Sequence, residues 1–153
     1  MKPRAVLDTS VLLSAERDEL LFLAHKGAYR IVCSPFIFNE VVRIRTKKAI
    51  EHGQDYEVYR ARINAFVNEV SRLAMLVNHT RLEGGNYDSW LKDADDEPIL
   101  ATALVGKAEY IVSWNTSDFP PSRTYAHVRY VTPPEFVEEI YAELRQEGIV
   151  DEM

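Results

Sequence analysis

Apolar residues fall along this chain in short runs and helical stripes divided by polar breaks. Ala5-Val6-Leu7 is an apolar run that ends at Asp8-Thr9-Ser10, and Val11-Leu12-Leu13 restarts the pattern at once. This spacing predicts a buried strand whose last residue is an aspartate, followed by a turn into a helix. Glu19–His25 fits a short helix closed by Gly27. Tyr29–Cys33 reads as a second strand, and Ser34-Pro35 supplies an N-cap and a first-turn proline for a helix from Pro35 to about Ile50. The apolar stripe of that helix is Ile37, Val41 and Ile44, while Glu40, Arg43 and Lys47 share a neighbouring face.

Asp55 is placed to cap a long helix running to about Val77, with Val58, Ala61, Ala65, Phe66, Val70, Leu73 and Val77 as its expected buried side. Residues His79–Trp90 contain Gly84-Gly85-Asn86 and show no period, which predicts a connection. Next, Asp93, Asp95, Asp96 and Glu97 crowd together ahead of Ile99, Leu100, Ala103 and Leu104 at helical spacing, with Gly106 as the stop. Tyr110–Trp114 is a third strand candidate and Val128–Val131 a fourth. Thr132-Pro133-Pro134-Glu135 is a capping box that opens a last helix to about Gln146, and Gly148 onward reads as a frayed tail. Strands separated by helices imply an α/β fold, a mainly parallel central sheet flanked by helices in three layers. One domain over residues 1–147, with 148–153 as the tail, is expected.

Composition agrees with a folded domain: 153 residues, 46% hydrophobic and 10% aromatic, are enough for a core without crosslinks. The single cysteine, Cys33, lies in the second apolar run and reads as a buried structural thiol rather than a nucleophile. No apolar run approaches the roughly 18 residues of a membrane span, and a soluble cytoplasmic protein is expected. The net charge of −6 opposes non-specific attraction to nucleic acid. A carboxylate cluster that holds divalent cations reverses that sign locally.

In an open parallel sheet the strand C-terminal ends share one edge, where ligands bind. Asp8 ends the first strand, Asn115 and Asp118 follow the third, and Glu40 and Asp96 stand near helix N-termini that point to the same edge. Taken singly, Asp96 reads first as a helix cap. Asp8 does not reduce so simply, because a carboxylate at the end of a buried strand loses hydration unless something compensates it. Several carboxylates at one rim repel one another unless cations lie between them, and oxygen-only ligands favour Mg2+ or Mn2+ over zinc. His25, His52, His79 and His127 are scattered without ligand spacing, which argues against a zinc centre or a histidine base.

Four segments, AVLDTSVLLSA from Ala5, FNEVV around Glu40, DEPILATAL from Asp96 and EYIVSWNTSDFP from Glu109, resemble the PIN domain family in order and spacing over nearly the whole chain. The resemblance implies a compact α/β nuclease that cuts RNA with Mg2+ or Mn2+. It further implies a likeness to the small prokaryotic members that are toxin halves of VapC-type toxin–antitoxin pairs, with a cognate antitoxin as partner and a homodimer as the assembly. By position, Asp8 matches the first family acid, Glu40 the second and Asp96 the third. The fourth departs: the common aspartate is replaced by Asn115, with Asp118-Phe119 three residues on, as in a variant of the family.

The resemblance thus implies Asp8, Glu40, Asp96 and Asp118 as metal ligands, joined by Asn115 in the catalytic set. A cation held by Asp8 and Asp96, with Glu40 through water, is expected to position an attacking water, and a second near Asp118 to stabilise the leaving oxygen. Arg43, Lys47 and Ser10 are the candidate RNA phosphate contacts, although surface solubility accounts for the two cations and a turn hydrogen bond for Ser10. Two rivals stand beside this. An aspartyl-phosphate phosphatase also begins with an apolar strand ending in aspartate, but Ser10 stands where its second aspartate belongs. A PIN-like module that binds RNA or protein without cleaving it is the other, and Asn115 is the residue that admits it.

Overall fold

Strand β1 (Arg4–Leu7) lies inside a six-stranded sheet of order β3-β2-β1-β4-β6-β5, with β2 at Arg30–Cys33, β3 at Ala74–Leu76, β4 at Tyr110–Val112, β5 at Thr124–Tyr125 and β6 at Val128–Val131. In this computed structural model residues 2–79, 97–121, 123–125 and 127–148 are described. Every pairing is parallel except that of β5 with β6. Ala5, Val6 and Leu7 are consecutive, yet none is more than 1% exposed. Neighbours on a strand point to opposite faces, so both faces of β1 are covered, as the three-layer expectation requires. On one side Phe136 of the last helix meets Tyr29 and Tyr110 edge to face, with ring centroids 4.9 and 5.2 Å apart.

The sheet has two more strands than the apolar runs predict, and β3 corrects the long helix. That helix, α4, spans Tyr56–Leu73 and stops where Ala74 turns extended at φ −103°, ψ 149°. Ala74, Met75 and Leu76 then run beside Ile31, Val32 and Cys33. The outer edge of β2 carries backbone donors and acceptors that need partners, and three extended residues supply them where another helical turn would not. The buried face of α4 is also shifted from expectation: Ile63, Phe66 and Val70 are inside, whereas Val58, Ala61 and Ala65 are exposed. Burial of such side chains stabilises by roughly 1.5–3 kcal/mol each. The guanidinium groups of Arg17 and Arg45 lie over the Phe66 ring at 5.1 and 4.6 Å, so the helix is anchored there rather than along its first two turns.

The remaining helices are α1 (Thr9–Leu12), α2 (Arg17–His25), α3 (Pro35–Glu51), α5 (Glu97–Val105) and α6 (Pro133–Gln146). Asp55 caps α4 as expected, accepting from the Glu57 and Val58 amides at 3.0 and 3.2 Å. Glu135 accepts from the Thr132 amide and hydroxyl at the start of α6, at 3.1 and 2.7 Å. Ser34 stands at the N-cap of α3 but makes no side-chain capping bond. Its hydroxyl instead shares a 2.8 Å hydrogen bond with Thr102, which donates to the Pro98 carbonyl at 2.7 Å and so ties α5 to the entry of α3. Gly106 ends α5 for reasons of space: a Cβ there would lie 2.3 Å from Val32 Cγ1 on β2, and the left-handed residue is the following Lys107, at φ 53°. Gly148, at φ 74°, follows α6. The expected tail beyond it lies outside the described residues, as does nearly all of the connection predicted after His79.

Candidate active site at the strand edge

β1 and β4 are adjacent parallel strands, and the chain leaves β1 toward β2 on one side while β4 leads to β6 on the other. Between such divergent strands the C-terminal edge opens into a crevice. Asp8 stands at that point. Its amide donates to the Val112 carbonyl at 3.0 Å, which carries the β1–β4 ladder one residue further, and at φ −64°, ψ 159° it becomes the N-cap of α1.

Asp8 is 8% exposed, and its carboxylate has three donors around it. Oδ1 accepts from the Thr9 amide at 2.7 Å, while Oδ2 accepts from the Ser113 hydroxyl at 2.7 Å and from the Ser10 hydroxyl at 3.2 Å. Burial pushes its pKa up from the ordinary value. The hydrogen bonds from Ser113, Thr9 and Ser10 oppose that shift without cancelling it, and the charge of Asp118 adds to it. Two carboxylate oxygens offer about four lone-pair positions, so this acid keeps room for a further electrophile.

A cleft of about 560 Å³ opens in front of Asp8, walled among others by Ser10, Glu40, Arg43, Pro98 and Asn115. Glu40 reaches it from the second turn of α3 and is held by Arg43 in a two-point pair, Nε to Oε1 at 3.3 Å and Nη2 to Oε2 at 3.1 Å. Asn115 and Asp118 are bound to each other: Asn115 Nδ2 donates to Asp118 Oδ2 at 2.7 Å, and the Asp118 amide donates to Asn115 Oδ1 at 3.3 Å. Phe119, 2% exposed and edge to face with Tyr130, anchors this turn in the core.

Of the residues singled out from the sequence, Asp8, Ser10, Glu40, Arg43 and Asn115 meet at this cleft. Asp118 joins through Asn115, whereas Lys47 stands exposed one turn beyond Arg43 and is not among the described residues that wall the cleft. Asp93, Asp95 and Asp96 lie outside the described residues. Among the described residues no three His, Cys, Asp or Glu side chains stand close enough to hold a metal ion by themselves. Ser113 is the site residue that sequence reasoning missed; its hydroxyl also accepts from the Asn115 amide at 2.9 Å. Cys33 is buried, its thiol pushed up to about 12 by burial, as a structural cysteine should be. No helix among the described residues is long and apolar enough to cross a membrane.

Comparison with curated proteins and with solved structures returned no match. A family model described as PIN domain matches residues 4–117, from the first residue of β1 to two positions past Asn115. The chain belongs to the PIN domain family, whose members are typically nucleases.

Proposed function

We propose that the chain is a metal-dependent endoribonuclease that hydrolyses RNA phosphodiester bonds, and that it is the toxin component of a VapC-type toxin–antitoxin pair. The observation that supports this best is the buried Asp8 carboxylate, oriented by three donors and opening on a cleft that also holds Glu40 and Asn115. Burial disfavours its ionised form, and an adjacent cation restores it. The donor set is all oxygen and suits Mg2+ or Mn2+.

In this reading Asp8 and Asp96 would hold the ion, Glu40 would assist through water, and Asp118 would serve a second ion. Asp96 precedes the cleft residue Pro98 by two positions, which supports its membership. When bound, the ion supplies Lewis-acid stabilisation of phosphoryl oxygens and a more acidic water. The chain supplies the rest. Ser113, Thr9 and Ser10 fix the Asp8 carboxylate, Asn115 fixes Asp118, and Arg43, Lys47 and Ser10 contact phosphates. The domain runs over residues 1–147 in a cytoplasmic homodimer, with the exposed Phe22, Ile50, Tyr56 and Val58 as apolar surface for the second copy or for an antitoxin.

The mutual pairing of Asn115 and Asp118 favours one competing reading, a PIN-like module that binds RNA or protein without cutting it. Incubation with mixed RNAs separates the two: cleavage in Mg2+ or Mn2+ that stops with chelator supports the nuclease, and intact RNA under all conditions supports the module. The toxin role is tested separately by inducing the gene in a bacterial host with and without its neighbouring gene. Unchanged growth in both counts against it.

A further inference from the structure

Positive charge is concentrated in one part of this acidic chain. Residues 43–62, the second half of α3 and the start of α4, hold six of the 18 lysines and arginines against three of the 24 carboxylates, and one of those three, Asp55, is engaged in capping α4. Between the two helices lies a pocket of about 210 Å³ lined by Arg45, Lys48, Gln54, Tyr59 and Arg62, with the buried Ala49 and Ile63 in its wall. Among the described residues no carboxylate lines it. Arg45, Lys48 and Arg62 form no ion pair with a described residue. The Arg45 guanidinium is held instead over the Phe66 ring, 4.6 Å from its centroid. A ring fixes a guanidinium without neutralising it, so the N–H donors stay available. Five residues on from Glu40, Arg45 lies about 140° around α3, and the pocket shares no lining residue with the Asp8 cleft.

We propose that this pocket binds one phosphate group, as the dianion, at a site separate from the cleft. Three cations with no carboxylate among them leave an unbalanced positive charge. A terminal phosphate, with a charge of about −1.5 to −2 and three acceptor oxygens, matches it better than a single carboxylate does. Arg45 and Arg62 bring planar forks suited to phosphate oxygens, Lys48 brings a point charge, and Gln54 and Tyr59 carry neutral donors. The volume is below the roughly 300–1,000 Å³ of pockets that enclose a whole small molecule, so the group enters and its carrier stays outside. Two carriers share this chemistry: inorganic phosphate or a small phosphomonoester, and the 5′-phosphate at the end of an RNA strand. The site does not rest on the nuclease reading.

The test is a phosphorus NMR titration of sodium phosphate against the full chain at pH 8, in EDTA and at an ionic strength held constant with chloride. The native chain is expected to bind saturably. Lys48→Gln and Arg62→Gln, both at exposed positions, each weaken binding about two- to fivefold, and the double variant weakens it about tenfold. Arg60→Gln, which removes an exposed cation of α4 outside the pocket, leaves binding unchanged. Binding that does not saturate, that the double variant retains in full, or that Arg60→Gln reduces as much overturns the site. Oligoadenylates with and without a 5′-phosphate, offered to the same chains in EDTA, assign the carrier. A gain from the terminal phosphate that the double variant lacks supports the site with an RNA end as carrier. Binding of inorganic phosphate without that gain supports it with a small phosphomonoester. No cleavage is measured, so failure of the nuclease reading and failure of this site are read separately.

Discussion

The Ser113 hydroxyl donates to Asp8 Oδ2 at 2.7 Å across 105 positions of sequence, because adjacent parallel strands bring their C-terminal residues side by side. The bond is made to a buried charge, and removing a donor from such a group costs about 1.5–3 kcal/mol. Ser113→Ala should lower stability at neutral pH by that amount in urea unfolding without metal. The folded pKa of Asp8 is raised, so the protonated acid is favoured in the folded state: its contribution is complete below the ordinary value of 3.8 and is lost as pH rises through the folded pKa. D8N should therefore be more stable than the native chain at neutral pH, with the advantage shrinking on acidification toward 3.8. In the D8N background Ser113→Ala should cost less, about 0.5–1.5 kcal/mol.

Arg43 and Glu40 pair across one turn of α3 at the cleft wall, so a cation that uses Glu40 must compete with the guanidinium. Arg43→Gln is expected to tighten Mn2+ binding in calorimetry by no more than about fivefold, the range of an exposed ion pair. RNA affinity should move the other way, falling most at low salt, where phosphate contacts matter most. A parallel change in both affinities contradicts this competition.

Gly106 has no room for a side chain against Val32. Gly106→Ala should destabilise by about 1–3 kcal/mol, the usual cost of overpacking, in spite of alanine's better helix propensity. Val32→Ala in the same chain should recover part of that loss. Absence of any recovery would place the cost elsewhere than at this contact.

Cys33 should resist a thiol reagent at pH 8 in the folded chain and react on unfolding, because burial carries its pKa to about 12 from 9.0. The protonated thiol is the form the fold prefers. Its contribution is therefore complete below 9.0 and is lost as pH rises through about 12, which predicts declining stability in urea titrations over that alkaline range. Rapid labelling of the native chain is the contrary result.

Much of this site is legible in the sequence, and the parts that are not share a physical reason. Asp8 is legible because a charge closes an uninterrupted apolar run, and Glu40 because a serine-proline start fixes the turn of α3 that carries it. Ser113 has no such signal; a hydroxyl after an apolar strand becomes meaningful only when β4 is known to lie beside β1. Ser34 is legible as a cap position, but its bond to Thr102 belongs to packing between distant helices. β3 escapes notice because Ala74, Met75 and Leu76 continue the apolar stripe of α4, and only the open edge of β2 decides their conformation. The exposed Val58, Ala61 and Ala65 illustrate the same limit, since helical period marks a stripe without saying which turns find a neighbour.

The most direct test of the central claim is the initial rate of RNA cleavage in Mn2+ by the native chain, by D8N and by D96N, with folding verified by circular dichroism. Metal-dependent cleavage by the native chain, reduced at least about a hundredfold by each substitution, is the result predicted if these two carboxylates hold the ion. Cleavage that persists in D8N, or that survives chelation of the metal, contradicts it.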